Sequence, residues 1–393
     1  MVSTQIHRDV ALCIRHDLLS KRTIDCGLLG GDFGKIVYLF YASRAGFVDY
    51  DVPDSLLSRM LADNAASTPI MTYCNGVAGM CIGLELLGRE DFIENCGNAT
   101  LSCQSVLAHW LRIYLSIPEI DFLHGAVGLG FYFLRHAAES DISLNAVQSL
   151  VDYLWSHAIR DDDGSIYWLY RNKDNQYVQN ASISHGISST AIFLRRAYDV
   201  LPDGKAKENT LAMLEGVGRY LMQQISDPKQ LGSFTTVYPV GNGSEKRFRS
   251  RLGWCYGDIG VSVALRNLGE VLHNDRYKTI ALEIATFSAI YRRDPQLCAV
   301  FDAGICHGSA GVGQYFKRCH EIYGDFVFFD AFNYWREITL GMSRNNKGLR
   351  SFGRYSVDLK GMEQSTNLLE GDSGIGMFLL DCDKFLNAVL LYD

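Results

Sequence analysis

The sequence predicts an all-α protein, an α/α barrel or toroid in which seven inner helices are ringed by seven outer helices. The prediction comes from a Gly-x-x-Gly motif that occurs seven times, each copy followed by an apolar run of helical period. The first glycines of successive copies are 45, 49, 61, 71, 51 and 63 residues apart, so each interval leaves room for two helices and their loops. Although length alone suggests two or three domains, this repetition favours a single domain over residues 1–393.

We number the copies as repeats 1 to 7. They begin at Gly31, Gly76, Gly125, Gly186, Gly257, Gly308 and Gly371. Repeat 4 is the weakest, because Ser189 stands where the other copies have their second glycine, which puts the start of its helix in doubt. None of the copies fits a nucleotide-binding loop, which needs a preceding strand and fuller spacing, or a following Lys-Ser/Thr.

The runs after the motifs are typical of buried helices. Residues 79–88 and 128–134 are apolar almost all round, and a helix that is apolar on every face is buried on every face. Residues 146–158 and 209–225 are amphipathic instead, as expected for an outer layer. In this arrangement the N-termini of the inner helices open at one end of the barrel.

Two stretches around repeat 4 are not helical in character. Turn signals flanked by β-prone residues lie at 162–165, before repeat 4, and at 241–244, between repeats 4 and 5. We therefore expect a small β-containing loop region between repeats 4 and 5. A basic cluster follows the second turn, and it is either a solvated loop or a rim that contacts substrate. The cluster consists of Lys246, Arg247, Arg249 and Arg251.

Composition narrows the class of protein. The chain has 48% hydrophobic residues, 21% charged residues and a net charge of −7, which fit a folded soluble protein with no nucleic-acid partner. No apolar run reaches the roughly 18 residues of a transmembrane helix, and no signal-peptide core is present at the N-terminus. Eleven scattered cysteines fit a reducing cytoplasm better than a disulfide framework.

The strongest chemical signal is a pair of tetrapeptides that open repeats 5 and 6. Cys255-Tyr256-Gly257-Asp258 is followed 51 residues later by Cys306-His307-Gly308-Ser309. Two thiolates and an imidazole make up three quarters of a tetrahedral zinc shell, and a site with three protein ligands keeps its fourth position open for chemistry. The paired Cys-x-x-Cys spacing of structural zinc sites is absent here. We therefore predict one catalytic Zn²⁺ bound by Cys255, Cys306 and His307, with water or a substrate thiolate as the fourth ligand.

These motifs, together with Ser184-His185-Gly186 upstream, resemble the lanthionine synthetase C-like family over the whole chain. The resemblance implies an α/α toroid and a stand-alone lanthipeptide cyclase. Such an enzyme adds a peptide cysteine thiolate to dehydroalanine or dehydrobutyrine and so forms a lanthionine or methyllanthionine thioether ring. It also implies that Cys255, Cys306 and His307 are the zinc ligands.

The same resemblance assigns four further catalytic residues. His185 falls on the proposed acid/base histidine and Asp121 on the acidic residue before the third glycine turn. Tyr256 and Arg251 fall on the tyrosine after the first zinc cysteine and the arginine four residues before it. The expected roles are proton donation by His185, orientation of its ring by Asp121, and enolate stabilisation by Arg251 and Tyr256.

Each assignment has a plainer alternative. The two cysteines are then ordinary buried residues, His185 is a satisfied core histidine and Asp121 caps a helix. Tyr256 is then a packing residue and Arg251 a surface charge. His124 also precedes a glycine turn, and it is either structural or lines the same opening of the barrel. Glu370 is interpreted as a charge near a helix N-terminus.

The function expected from these signals is zinc-dependent cyclisation of a dehydrated precursor peptide that carries a leader, with a separate dehydratase as partner. No other cofactor is expected. The alternative is a non-cyclising relative that holds glutathione or a similar thiol on zinc, and a degenerate toroid used as a scaffold is a third option. The expected location is the cytoplasm, and attachment to a membrane-associated assembly is left open.

Overall fold

The positions of the helices and strands come from a computed structural model, which describes residues 2–67, 69–94, 96–172, 175–225, 234, 237–239, 250–346, 348–356 and 358–393. The helices are α1 (Val2–Ser20), α2 (Phe33–Arg44), α3 (Asp51–Ala65), α4 (Val77–Arg89), α5 (Gly97–Leu101), α6 (Gln104–Ser116), α7 (Ala126–His136), α8 (Asp141–Ser156), α9 (Ile187–Val200), α10 (Lys205–Gln223), α11 (Asp258–Val271), α12 (Asp275–Tyr291), α13 (Ser309–Tyr323), α14 (Phe326–Gly341), α15 (Asp372–Leu379) and α16 (Asp383–Val389). The strands are β1 (Ile159–Arg160), β2 (Ile166–Tyr167), β3 (Tyr170–Arg171), β4 (Tyr177–Asn180), β5 (Val237–Pro239), β6 (Arg344–Asn346), β7 (Leu349–Ser351), β8 (Gly353–Ser356) and β9 (Gly361–Gln364).

The chain divides into two compact units. Unit 1 comprises Met1–Thr100 and Ala299–Asp393, and unit 2 comprises Leu101–Cys298. The glycine motifs of repeats 1, 2, 6 and 7, with the helices that follow them, therefore lie in unit 1, and those of repeats 3, 4 and 5 lie in unit 2. The assignment of residues 1–393 to one domain stays a prediction.

Each of the seven glycine motifs is followed by a helix, as predicted. These helices are α2, α4, α7, α9, α11, α13 and α15. They are buried along most of their length: all eight residues of α15 and ten of the twelve in α2 are buried. By contrast, six of the sixteen residues of α8 and nine of the nineteen of α10, the helices at the two amphipathic stretches, are buried. The sequence pattern therefore separated the buried helices from the amphipathic ones correctly.

Within each unit the buried helices pack side by side. In unit 1, α2 contacts α4 and α15, and α13 contacts α15; in unit 2, α9 contacts α7 and α11. Amphipathic helices cover them, for example α14 on α13 and α12 on α11. Burial of apolar surface, worth about 25 cal/mol per Å², therefore holds each row of buried helices against its covering helices.

Repeat 4 forms its helix despite the serine at position 189. Gly186 precedes α9 in an extended conformation with φ of −153°, close to the −146° of Gly76 before α4. The hydroxyl of Ser189 donates a 3.0 Å hydrogen bond to the carbonyl of Gly186. The serine is thus accommodated without a change in how the chain enters the helix.

Buried aspartates at the first position of two of these helices fix the segment that comes before. Asp258 accepts a 2.9 Å hydrogen bond from the amide of Phe234 and forms a buried 2.9 Å ion pair with Arg292. Asp372 accepts a 2.7 Å hydrogen bond from the amide of Phe352. A carboxylate at a helix N-terminus is also favoured by the helix dipole. Both aspartates therefore stabilise the helix start and the preceding loop together.

The strands form small antiparallel sheets. β5, which lies in the predicted region between repeats 4 and 5, pairs with β4, and β4 pairs with β3; both of these strands lie before repeat 4. The turn at 162–165 joins β1 and β2. Strands β6 to β9, between repeats 6 and 7, were not predicted, because short polar strands leave little hydrophobic alternation. The turn at 241–244 and Lys246, Arg247 and Arg249 lie outside the described residues.

No helix among the described residues combines the length and the apolar character that crossing a membrane requires.

Candidate active site

Cys255 is held in a tight turn before α11. The turn is closed by a β-bridge between Leu252 and Gly257, and Gly257 adopts a left-handed conformation with φ of +94°. A Cβ atom at Gly257 would lie 2.1 Å from the carbonyl oxygen of Arg251, so only glycine fits. The turn leaves Cys255 buried, at 3% exposure.

The loop that carries His185 is bonded directly to this turn. The carbonyl of Cys255 accepts a 2.9 Å hydrogen bond from the hydroxyl of Ser184 and a 3.4 Å one from its amide. Ser184 is fully buried. Within unit 2, the backbone of Cys255 and the loop of His185 are therefore held in a fixed relation.

Cys306 and His307 occupy the corresponding turn before α13 in unit 1. The amide of Cys306 donates a 2.8 Å hydrogen bond to the carbonyl of Leu369, which joins this turn to the one before α15. A Cβ atom at Gly308 would lie 2.2 Å from the backbone nitrogen of Gly304, so a side chain at this position would push the turn apart. The close packing of the turn explains the glycine that follows His307.

The imidazole of His307 has a buried carboxylate beside it. Its Nε2 lies 3.3 Å from Oδ2 of Asp302, whose side chain is 1% exposed. Burial alone would raise the pKa of Asp302, but hydrogen bonds from His307 and from two backbone amides hold the pKa below its ordinary value. The carboxylate is therefore ionised at neutral pH and can accept a hydrogen bond from the ring.

Cys255, Cys306 and His307 form a cluster whose three potential ligand atoms all lie within 4.8 Å of one another. Both cysteines are buried and His307 is half-buried. Among the described residues, the cluster includes no fourth cysteine, histidine or carboxylate. Two sulfurs and one ring nitrogen fit a tetrahedral metal with one position left for another ligand, the donor pattern of catalytic zinc.

His185 and Asp121, 64 residues apart in sequence, form a close pair. Nδ1 of His185 lies 2.7 Å from Oδ2 of Asp121, and Oδ1 of Asp121 accepts a 2.7 Å hydrogen bond from the amide of His124. Burial would lower the pKa of His185, but the hydrogen bond and charge of Asp121 outweigh burial and raise the pKa above its ordinary value. Asp121 does not cap α7, because Gly125 occupies that position.

Two aromatic rings lie beside the ring of His185. The ring of His124 stacks on it with centroids 6.0 Å apart, and the ring of Tyr256 is tilted against it at the same distance. Burial, opposed by Asp121, lowers the pKa of His124, so its ring is neutral at neutral pH. The structure thus brings together three residues that the sequence predicted, His185, Asp121 and Tyr256, and adds His124 beside them.

The two remaining residues singled out in the sequence have different surroundings. Arg251 lies in the turn of Cys255, and its carbonyl is the atom that excludes a side chain at Gly257. The role of its guanidinium stays a prediction. Glu370 forms an ion pair with Arg354 of β8, so its charge is engaged in a structural contact.

Sequence reasoning missed two residues of this site. Asp302 stands four residues before Cys306, and Ser184 stands immediately before His185. Both are polar residues close to a motif. Asp302 contacts the side chain of His307, and Ser184 bonds to the carbonyl of Cys255; the folded loops bring these partners together. Their closeness in sequence to the motif residues was the one signal that could have found them.

A solved structure and a known protein sequence resemble most of this chain. A solved structure named nisin cyclase matches with a TM-score of 0.74 and 17% identity, and the match covers 98% of this chain and 97% of that one. This likeness shows the fold, an α/α toroid, as the repeats predicted. The nisin biosynthesis protein NisC of Lactococcus lactis subsp. lactis is 23% identical over 352 residues, which cover 81% of this chain and 77% of that protein.

The sequence model for lanthionine synthetase C-like proteins matches residues 23–388, which include all seven repeats. The match includes both turns that carry the Cys/Cys/His cluster and the loop of His185. The chain therefore belongs to the lanthionine synthetase C-like protein family.

Proposed function

We propose that this chain is a zinc-dependent lanthipeptide cyclase, which adds a peptide cysteine to dehydroalanine or dehydrobutyrine to form a thioether ring. The observation that carries the proposal is the cluster of Cys255, Cys306 and His307, with ligand atoms within 4.8 Å of one another. Membership of the lanthionine synthetase C-like family and the similarity to the nisin biosynthesis protein support the same activity.

The residues of the cluster suit zinc by their chemistry. Sulfur and imidazole donors are those that Zn²⁺ prefers, and hard cations such as Mg²⁺ prefer oxygen. A bound Zn²⁺ would supply positive charge that lowers the pKa of a substrate thiol, which otherwise lies near 8.5, so that the thiol ionises at neutral pH. Cys255, Cys306 and His307 would hold the ion and leave one position for that thiol.

The bond changes of cyclisation require a proton donor but no oxidant or reductant. The thiol first loses its proton. A carbon–sulfur bond then forms at the β-carbon while the π bond between the α- and β-carbons breaks, and the electron pair of that π bond moves to the α-carbon and the adjoining carbonyl oxygen. A proton must then reach the α-carbon. His185 is the donor we assign, because its raised pKa keeps a larger share of the ring protonated at neutral pH.

Asp121 orients that donor. Since it accepts the hydrogen bond of Nδ1 at 2.7 Å, the other ring nitrogen, Nε2, is left to deliver the proton. The phenol of Tyr256, whose ring lies 6.0 Å from that of His185, is assigned to hydrogen-bond the enolate oxygen. Arg251 is assigned to stabilise the same negative charge.

The substrate of this reaction is a precursor peptide in which serine and threonine residues have already been dehydrated. An upstream dehydration reaction must therefore supply it, and we propose a separate dehydratase as the partner enzyme. We place both steps in the cytoplasm, where a reducing environment keeps the cysteines of the peptide as thiols.

The test is to incubate the zinc-loaded protein with a dehydrated precursor peptide and then alkylate with iodoacetamide. Ring closure consumes thiols, so mass spectrometry is expected to count fewer alkylated cysteines than in a control without enzyme. If every peptide cysteine is alkylated as in that control, cyclisation is wrong. Tight binding of a small thiol such as glutathione in that case would indicate the non-cyclising relative.

A further inference from the structure

The contact between His307 and Asp302 has a consequence for how a metal is held. Nε2 of His307 lies 3.3 Å from Oδ2 of the buried carboxylate, within reach of an N–H donated by the ring. An imidazole that donates from Nε2 has its lone pair on Nδ1. A histidine that binds a metal through one nitrogen generally donates the other N–H to a carboxylate, carbonyl or water, which fixes the tautomer and the plane of the ring.

Asp302 is itself held rigidly. Its Oδ1 accepts a 3.0 Å hydrogen bond from the amide of Gly304, and its Oδ2 accepts a 2.8 Å hydrogen bond from the amide of Tyr355 in β8. Two backbone amides, one from the turn of His307 and one from β8, therefore fix the carboxylate beside the imidazole of His307. Because the carboxylate cannot rotate without breaking at least one of these bonds, it offers His307 a fixed acceptor.

We propose that Asp302 is a positioning residue for the metal: it accepts the Nε2–H of His307 and so presents Nδ1 as the ligand atom. This inference rests on the proposed zinc function, and it deepens it by assigning a residue that acts through His307. Asp302 is not placed among the ligands, since the cluster of ligand atoms within 4.8 Å consists of Cys255, Cys306 and His307.

The variant Asp302→Asn tests the assignment with little change in volume. The side-chain amide of asparagine carries no negative charge. It keeps one acceptor oxygen, but its NH₂ group is a donor and would be placed against another donor, the ring N–H of His307 or a backbone N–H. We expect zinc affinity, measured by competition with a chromogenic chelator, to fall about 10- to 100-fold. The visible spectrum of the Co²⁺-substituted protein is expected to change as well, because a displaced ring alters the ligand field.

The matched control is Asp372→Asn. Asp372 is another buried carboxylate of unit 1, and it anchors the same strand region through the amide of Phe352 and the side chain of Gln364. It contacts neither cysteine nor histidine in those bonds, so zinc affinity and the Co²⁺ spectrum should match those of the wild type. An equal loss in both variants would make Asp302 merely structural and overturn the proposal.

Further outcomes separate this inference from the proposed function. If the wild type binds no zinc, the proposed function fails, and the inference fails with it. If the wild type binds zinc and Asp302→Asn binds it equally tightly with the same Co²⁺ spectrum, only the inference fails. Should Asp302→Asn not fold, ¹⁵N NMR of zinc-loaded wild type decides: a metal on Nδ1 with a proton on Nε2 supports the assignment, and a metal on Nε2 overturns it.

Discussion

The hydroxyl of Ser184 donates a 2.9 Å hydrogen bond to the carbonyl of Cys255, so the loop of the candidate proton donor is bonded to the turn of a candidate metal ligand. The two residues are 71 positions apart in sequence. Since His185 follows Ser184 directly, a shift of one loop would displace the proton donor relative to the substrate sulfur. Geometric errors of this kind slow catalysis strongly even when they cost little stability.

Ser184→Ala is therefore expected to affect the reaction more than the fold. Loss of one neutral hydrogen bond should lower the free energy of unfolding by about 1 kcal/mol, as measured by urea denaturation. Ring closure should slow markedly in single-turnover assays, while zinc content stays the same. The control is Ser188→Ala. Ser188 lies in the first turn of α9, and the change removes its buried 2.6 Å hydrogen bond to the carbonyl of Ala181. Equal turnover in the two variants would contradict the idea that Ser184 aligns the site.

Asp121→Asn is expected to change the pH dependence of cyclisation. His185 donates a proton, so its active form is present below its pKa, and activity is lost as the pH rises through that pKa. Burial lowers the pKa of His185, and the carboxylate of Asp121 counteracts this effect. In the variant the pKa of His185 should therefore fall, and the alkaline limb of the pH profile of kcat/KM should move to lower pH. Loss of a charge-assisted hydrogen bond of about 1.5–3 kcal/mol corresponds to a roughly 10- to 150-fold fall in rate.

The comparison for this variant is His185→Ala. That change should keep the zinc content and lower the rate by about 10²- to 10⁴-fold, the usual contribution of a general acid. If the alkaline limb of Asp121→Asn coincides with that of the wild type, Asp121 does not control the protonation of His185.

The arrangement of the buried helices followed from the sequence because it rests on local signals. Glycine at a helix start and an apolar run behind it are visible residue by residue, and so all seven helices were found, even that of repeat 4 with its Ser189. The hairpin of β8 and β9 was missed for the opposite reason. It is held by contacts to distant carboxylates, such as the bond from the amide of Tyr355 to Asp302, and leaves no periodic pattern in the sequence.

The residues of the site also divide into those that local sequence signals predict and those that only the folded chain brings to their partners. Cys255, Cys306 and His307 could be named because metal-binding residue types in paired motifs are a chemical signature that needs no coordinates. The residues that orient them could not. Asp302 and Ser184 act through one side chain and one backbone carbonyl, and any aspartate or serine in a loop has many such partners available.

Cys306→Ala is expected to abolish zinc binding and, with it, the stabilisation that the metal provides. A ligand present at 100 times its dissociation constant adds about 2.7 kcal/mol to the free energy of unfolding. A chelator should therefore lower the stability of the zinc-loaded wild type by this amount or more, and should leave Cys306→Ala unchanged. The control is Cys319→Ala, a buried cysteine of α13, which should respond to the chelator as the wild type does. Stoichiometric zinc in Cys306→Ala would refute the ligand assignment.

Gly257→Ala tests whether the turn before α11 must be held by glycine. Two costs add up there: a left-handed φ of +94°, and a Cβ atom 2.1 Å from the carbonyl oxygen of Arg251. Gly324→Ala separates them, because Gly324 has a φ of +70° with nothing within 4 Å of its would-be Cβ. We expect Gly324→Ala to lose about 1–2 kcal/mol of unfolding free energy, the usual cost of the left-handed conformation, with normal zinc affinity. Gly257→Ala should lose more than this and bind zinc more weakly, because the turn must open and carry Cys255 with it. Equal losses of stability in the two variants, with zinc affinity intact, would mean that the turn can relax without moving the cysteine.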